Sequence, residues 1–121
     1  VSENKKFTRS GLWVEKRGGT VVIGLSPKAQ DDIGEVMFAE LPHERETITA
    51  NETIMGVEGA KAVTELTAPV SGKVIRVHKE VLDNPELLND PEPENNWIME
   101  LTEVVDADFE ALQDEMPAIE V

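Results

Sequence analysis

Apolar and polar positions alternate most clearly in TVVIGL, Thr20–Leu25, where Val21, Ile23 and Leu25 share one face after a Gly-Gly turn. This pattern predicts a strand, and LWVEK just upstream is its expected first partner. In LSPKAQDDIG, Ser26 suits an N-cap, Pro27 the first helical position and Gly34 the left-handed residue beyond a short helix. One or two helical turns are expected there. EVMFAELP, residues 35–42, is almost continuously apolar and ends at a proline, as for a strand buried on both faces. The polar run HERETITANETI should connect it to a shorter strand near Thr53.

Between Ile54 and His78 the pattern reads strand, turn at EGAK, strand, break at APVSG, then the strand KVIRVH. LDNPELLNDPEPENN is rich in proline and turn formers and predicts a loop with one helical turn at PELL. WIMEL resumes as a strand with Trp97, Met99 and Leu101 on one side. In the tail, Val105, Phe109, Leu112 and Met116 recur at helical spacing behind Asp106 as a cap, predicting an amphipathic helix lying on the β core. Short strands with frequent turns point to an all-β sandwich or barrel.

Composition sets bounds on partners. A chain of 121 residues with 40% hydrophobic content is expected to form one domain, 1–121. Its formal charge of -14 disfavours a nucleic-acid backbone or an anionic membrane surface and favours partners with basic patches. The sequence contains no cysteine, so disulfides and thiolate chemistry of its own are excluded, which is compatible with a reducing cytosol. No run approaches a membrane span and the opening VSENKKFTRS lacks a secretory apolar core; the expectation is a soluble cytoplasmic protein.

Enzyme signatures are missing: there is no G-x-x-x-x-G-K-[ST], no H-E-x-x-H and no G-x-S-x-G. His43 and His78 have no zinc-ligand spacing, and both are expected to be solvated surface histidines. The acidic clusters QDDIG and LNDPEPENN do not match a calcium loop and read as solvated faces. No metal is expected. Lys61 differs from these residues. It is the only base between Glu46 and Gly72, and Gly59, Ala60 and Ala62 leave its amine sterically open for another protein's active site. The bland alternative is a soluble turn residue.

VEGAKAV followed by APVSGKV, with QDDIGEVMFAELP upstream and DNPELLNDP and NNW downstream, resembles the H protein of the glycine cleavage system. The likeness runs from about Leu12 to Leu112. It implies a β-barrel-sandwich hybrid of the biotinyl/lipoyl-carrier type, mainly β with short helices and a C-terminal helix. The family's lipoylated lysine falls on Lys61, and alanines rather than methionines beside it favour lipoate over biotin. By the same resemblance Glu58, with Gly59, serves recognition by a lipoate ligase or lipoyltransferase, and Pro69 with Gly72 forms the turn of the opposite half, where Gly72 meets a backbone requirement.

The resemblance further implies a non-catalytic carrier, a monomer whose swinging arm visits glycine decarboxylase, aminomethyltransferase and dihydrolipoamide dehydrogenase in bacterial cytoplasm. A dithiolane would supply the exchangeable sulfur pair that the polypeptide lacks, and amide formation would remove a charge that is costly to desolvate. Two positions depart from the family pattern. Leu12 stands where the family has an acid lining the cleft that shelters the loaded arm, and EGAKA replaces ESVKA. LWVEK, QDDIG and ENNW are also similar to a divergent bacterial H-like branch associated with a macrodomain and a sirtuin-type ADP-ribosyltransferase, which implies redox-linked regulation or lipoate handling. An unmodified interaction domain is the reading of another class.

Overall fold

The computed structural model describes residues 4–40 and 46–116. Its strands are β1 (Lys5–Phe7), β2 (Leu12–Arg17), β3 (Thr20–Leu25), β4 (Val36–Glu40), β5 (Thr47–Ile48), β6 (Thr53–Gly59), β7 (Val63–Thr67), β8 (Gly72–Val77) and β9 (Trp97–Thr102). Short helices join them: α1 (Pro27–Ile33), α2 (Glu80–Asp83), α3 (Pro93–Asn96) and α4 (Asp106–Glu110), with a 3-10 turn at Pro85–Asn89. One sheet runs β1-β2-β3-β9-β8-β5 and the other β4-β6-β7, with antiparallel pairing throughout. The expected mainly-β fold with short helices is the one observed.

A single apolar cluster draws on both sheets. Leu12, Val14, Ile23, Leu25 and Leu101 come from the larger sheet, and Val36, Ala39, Ile54, Val57 and Leu66 from the smaller. The β2–β3 register places Leu12 opposite Leu25 and Val14 opposite Ile23, so the predicted face of β3 points into this core. Val22 is buried as well, so both faces of β3 are covered; α1 and α3 also pack near this strand.

Four expectations are corrected. The apolar run of β4 is not buried on both faces: Met37 and Phe38 are exposed, because the pairing with β6 shifts by one residue between Val36 and Phe38, and this bulge turns Met37 out. The other end of the expected strand, Leu41 and Pro42, lies outside the described residues. Trp97 leaves the face of Met99 and Leu101, because a register shift opposite Ile23 and Gly24 skips Ile98, which enters the core instead. The C-terminal helix stops at Glu110: Gln113 forms an antiparallel bridge with Phe7, exchanging backbone hydrogen bonds of 2.7 and 2.9 Å, and so competes with further helix. Phe109 is buried as expected, but Val105 remains exposed and precedes the helix as its cap position.

The fourth correction concerns His78, which is buried rather than solvated. Its ring stacks on Trp97 at 4.3 Å between centroids, Nδ1 lies 2.7 Å from the Trp97 carbonyl and Nε2 lies 3.1 Å from Glu80. The nearly parallel rings, 9° apart, close the end of β8 over the start of β9. His78→Ala should therefore cost about 2 kcal/mol through the lost stack and the unsatisfied carbonyl, seen as a lower urea midpoint. A wild-type midpoint would show that the stack contributes nothing. His43 lies outside the described residues.

Candidate functional site

Lys61 sits where β6 turns into β7. Glu58 pairs with Val63, and Gly59 N–H donates to the Ala62 carbonyl at 2.9 Å, leaving Ala60 and Lys61 as a two-residue tip. The backbone of this tip is anchored. Ala60 N–H donates to the Glu35 carbonyl and Lys61 N–H to the Ile33 carbonyl, both at 2.9 Å, so the hairpin end is seated on the segment that follows α1. Such fixing of the backbone removes the looseness expected of an exposed small-residue turn.

Close approach at this seat depends on two glycines. A Cβ on Gly59 would stand 2.3 Å from both the Ile33 carbonyl oxygen and its Cγ2. Gly34 has φ 79° and ψ -162°, a conformation open almost only to glycine, and a Cβ there would meet Lys61. Gly34 thus ends α1 as expected, and it also makes room for the lysine.

The amine itself is held loosely. Its side chain is 61% exposed; Nζ donates to the Asp31 carbonyl at 3.1 Å and lies 3.8 Å from the Asp31 carboxylate. The Asp31 carbonyl belongs to the last turn of α1, where the helix presents unsatisfied carbonyls that favour a cation. An exposed pair at this distance contributes little to stability, so the amine is easily released to a partner.

Beside the lysine lies an open hollow of about 510 Å³ lined by Gln30, Asp31, Gly34, Glu35, Lys61 and Asn89. Its far wall is built by side-chain hydrogen bonds that local sequence patterns do not reveal. Asn89 accepts from Val36 N–H at 2.8 Å, while the Gln30 amide donates to the Leu88 and Asp90 carbonyls, each at 2.8 Å. Asn96 in turn donates to the Asp90 carbonyl and accepts from the Trp13 indole N–H, both at 2.8 Å. These contacts clamp the loop of residues 84–96 against α1 and β4. Gln30, Asp31, Glu35 and Asn89 were not singled out from the sequence, although QDDIGE and NDPE carry them.

The other sequence-selected residues are spread around this centre. Glu58 is exposed on the outer face of β6, within the same hairpin as Lys61. Gly72 is remote from it in the pairing, opening β8 opposite Ile48. It does not adopt a positive φ; a Cβ there would come within 3.0 Å of Val104 and 3.1 Å of the Thr102 carbonyl. The backbone requirement at Gly72 is thus close packing rather than turn geometry. Leu12 is fully buried in the core, so it contributes no polar group to the hollow. Among the described residues no cluster of His, Asp or Glu could hold a metal ion, and no helix is long and apolar enough to cross a membrane.

The sequence model of the family described as glycine cleavage H-protein matches residues 5–120. The glycine cleavage system H protein of Listeria innocua is 40% identical over 106 residues, covering 88% of this chain and 85% of the relative. That of Bacillus cereus strain B4264 is 42% identical over 101 residues, covering 84% and 80%. Among solved structures, the glycine cleavage system H protein of Mycobacterium marinum superposes with a TM-score of 0.74 at 26% identity, covering 87% of this chain and 88% of that one.

Proposed function

The chain belongs to the glycine cleavage H-protein family, a carrier component that is not itself catalytic, and from that membership we propose that Lys61 is its lipoyl attachment point. The observation that carries this reading is a fixed backbone bearing a loosely held, exposed amine: the Lys61 main chain is hydrogen-bonded to Ile33 while its side chain is largely exposed. The residues fit the group. Ala60 and Ala62 leave the amine open, and the hollow beside it offers an open, polar-lined space.

When bound, a lipoyl amide on Lys61 would supply a disulfide–dithiol pair able to accept the aminomethyl group of glycine at the decarboxylase, yield it to the aminomethyltransferase, and return from dithiol to disulfide at dihydrolipoamide dehydrogenase. The chain's own residues present, shelter and dock. Asp31 and Glu35 place carboxylates at the hollow, where a cationic end group gains from their charge although Leu12 provides none. Gln30 and Asn89 hold the walls in place through their backbone contacts. The charge of -14 suits basic rims around the partners' clefts, which steers encounter and makes it sensitive to salt. Residues 1–121 then act as one carrier domain, a monomer that presents one arm to several enzymes.

A direct test is exchange of the glycine carboxyl carbon with bicarbonate by glycine decarboxylase in the presence of the lipoylated protein. Exchange should depend on the lipoylated form and decline as ionic strength rises. If the lipoylated protein supports no exchange, the glycine role fails. The H-like carrier of an ADP-ribosylation system, favoured by the buried Leu12, then takes its place.

A further inference from the structure

The outer face of the smaller sheet carries an apolar row that the core does not use. Phe38 pairs with Glu58 and Glu58 with Val63, so the three side chains stand side by side across β4, β6 and β7. Met37, turned out by the bulge, adjoins them in sequence. Met37 is 61% exposed, Phe38 51% and Val63 75%, and Val63 lies two residues from Lys61. The next row of the same face is Glu40, Gly56 and Glu65, again by register. The patch is therefore apolar at Met37, Phe38 and Val63 and acidic at Glu40, Glu58 and Glu65, and Lys61 is the only base in the hairpin beside it.

We infer that this row is the docking surface for the enzyme that acylates Lys61, an enzyme with an apolar contact ringed by basic residues. Charge complementarity selects that chemistry. A second copy of this chain would bring the same acids against Glu40, Glu58 and Glu65, and an anionic membrane would be repelled in the same way. Reach selects the enzyme among the partners. Acylation takes place at Nζ, a single side chain's length from the sheet, so the acylating enzyme must cover Val63 and its neighbours. Enzymes that act on the far end of a completed arm need not. In the step served, Nζ attacks the carbonyl carbon of an activated lipoyl donor such as an acyl-adenylate. The amide bond forms, the bond to the leaving nucleotide phosphate breaks with its electron pair, and the ammonium gives up two protons in all.

The inference rests on Lys61 being the lipoylated residue, and the experiment separates the two. The double variant Phe38→Thr with Val63→Thr keeps β-compatible residues at two exposed positions. It should retain the wild-type thermal midpoint and accept one lipoyl group at completion. Its kcat/KM for acylation by lipoate ligase should fall roughly tenfold, as for loss of an apolar anchor, and Phe38→Leu alone should stay close to wild type. Once fully lipoylated, the double variant should be reduced by dihydrolipoamide dehydrogenase at the wild-type rate. An unchanged acylation kcat/KM would overturn the inference, and so would an equal fall in the dehydrogenase reaction. Either result leaves Lys61 as the attachment site, whereas a wild-type protein that gains no lipoyl mass removes the reading beneath it.

Discussion

Lys61→Arg should abolish lipoate attachment while leaving the fold intact. Arginine keeps a positive charge near the last turn of α1, and at a site this exposed the exchange should change stability by less than about 1 kcal/mol. The guanidinium remains protonated at every accessible pH and offers no nucleophilic amine, so no amide forms. Wild-type protein incubated with lipoate, ATP and a lipoate ligase should gain one lipoyl increment in intact mass, and Lys61→Arg should gain none. Exchange of glycine carboxyl carbon should fall to background with it. A lipoyl gain on the arginine variant would place the attachment on another lysine and detach the hollow from function.

The lysine's setting was partly legible because small residues at Gly59, Ala60 and Ala62 can be read directly, as can an isolated base in an acidic chain. Its seat on α1 was not legible. The bonds from Ala60 and Lys61 to Glu35 and Ile33 join segments separated by more than twenty residues, and no local pattern encodes such a pairing. The same reason hides the Gln30, Asn89 and Asn96 contacts that build the wall of the hollow.

Among the strands, β3 and the hairpin of β6 with β7 were legible from alternation and turn residues. β1 and β5 were not: Lys5–Phe7 is a short edge strand with two lysines, and Thr47–Ile48 is too short for a period to show. The run VMFA illustrates a deeper ambiguity. A continuous apolar stretch reads the same whether both faces are buried or a bulge turns two residues outward, and only the β4–β6 register decides between them. The C-terminal pattern was overextended for a comparable reason, since helical spacing up to Met116 carries no sign of the bridge between Phe7 and Gln113.

Gly34→Ala should strongly destabilise the seat of the lysine. Two costs combine. The backbone at φ 79° and ψ -162° is strained for any residue with a Cβ, and the added methyl would lie 2.9 Å from Lys61 Cγ and 3.0 Å from its backbone nitrogen. The side-chain carbon could swing away, but the nitrogen is fixed by its bond to the Ile33 carbonyl. The tip must lift and lose its backbone anchors, or the end of α1 must shift. A stability loss of about 3 kcal/mol is expected, read as a lower urea midpoint at constant slope. Acylation of Lys61 should slow as well, because the amine no longer stands on a fixed backbone. Gly18→Ala is the control: Gly18 also has a positive φ, 63°, but no atom lies within 4 Å of its added Cβ. That variant should lose only about 1 kcal/mol and be acylated normally. The difference between the two reports the crowding against Lys61 together with the greater strain of the Gly34 backbone. Equal losses with normal acylation in both would mean that the hairpin tip does not depend on its seat beside α1.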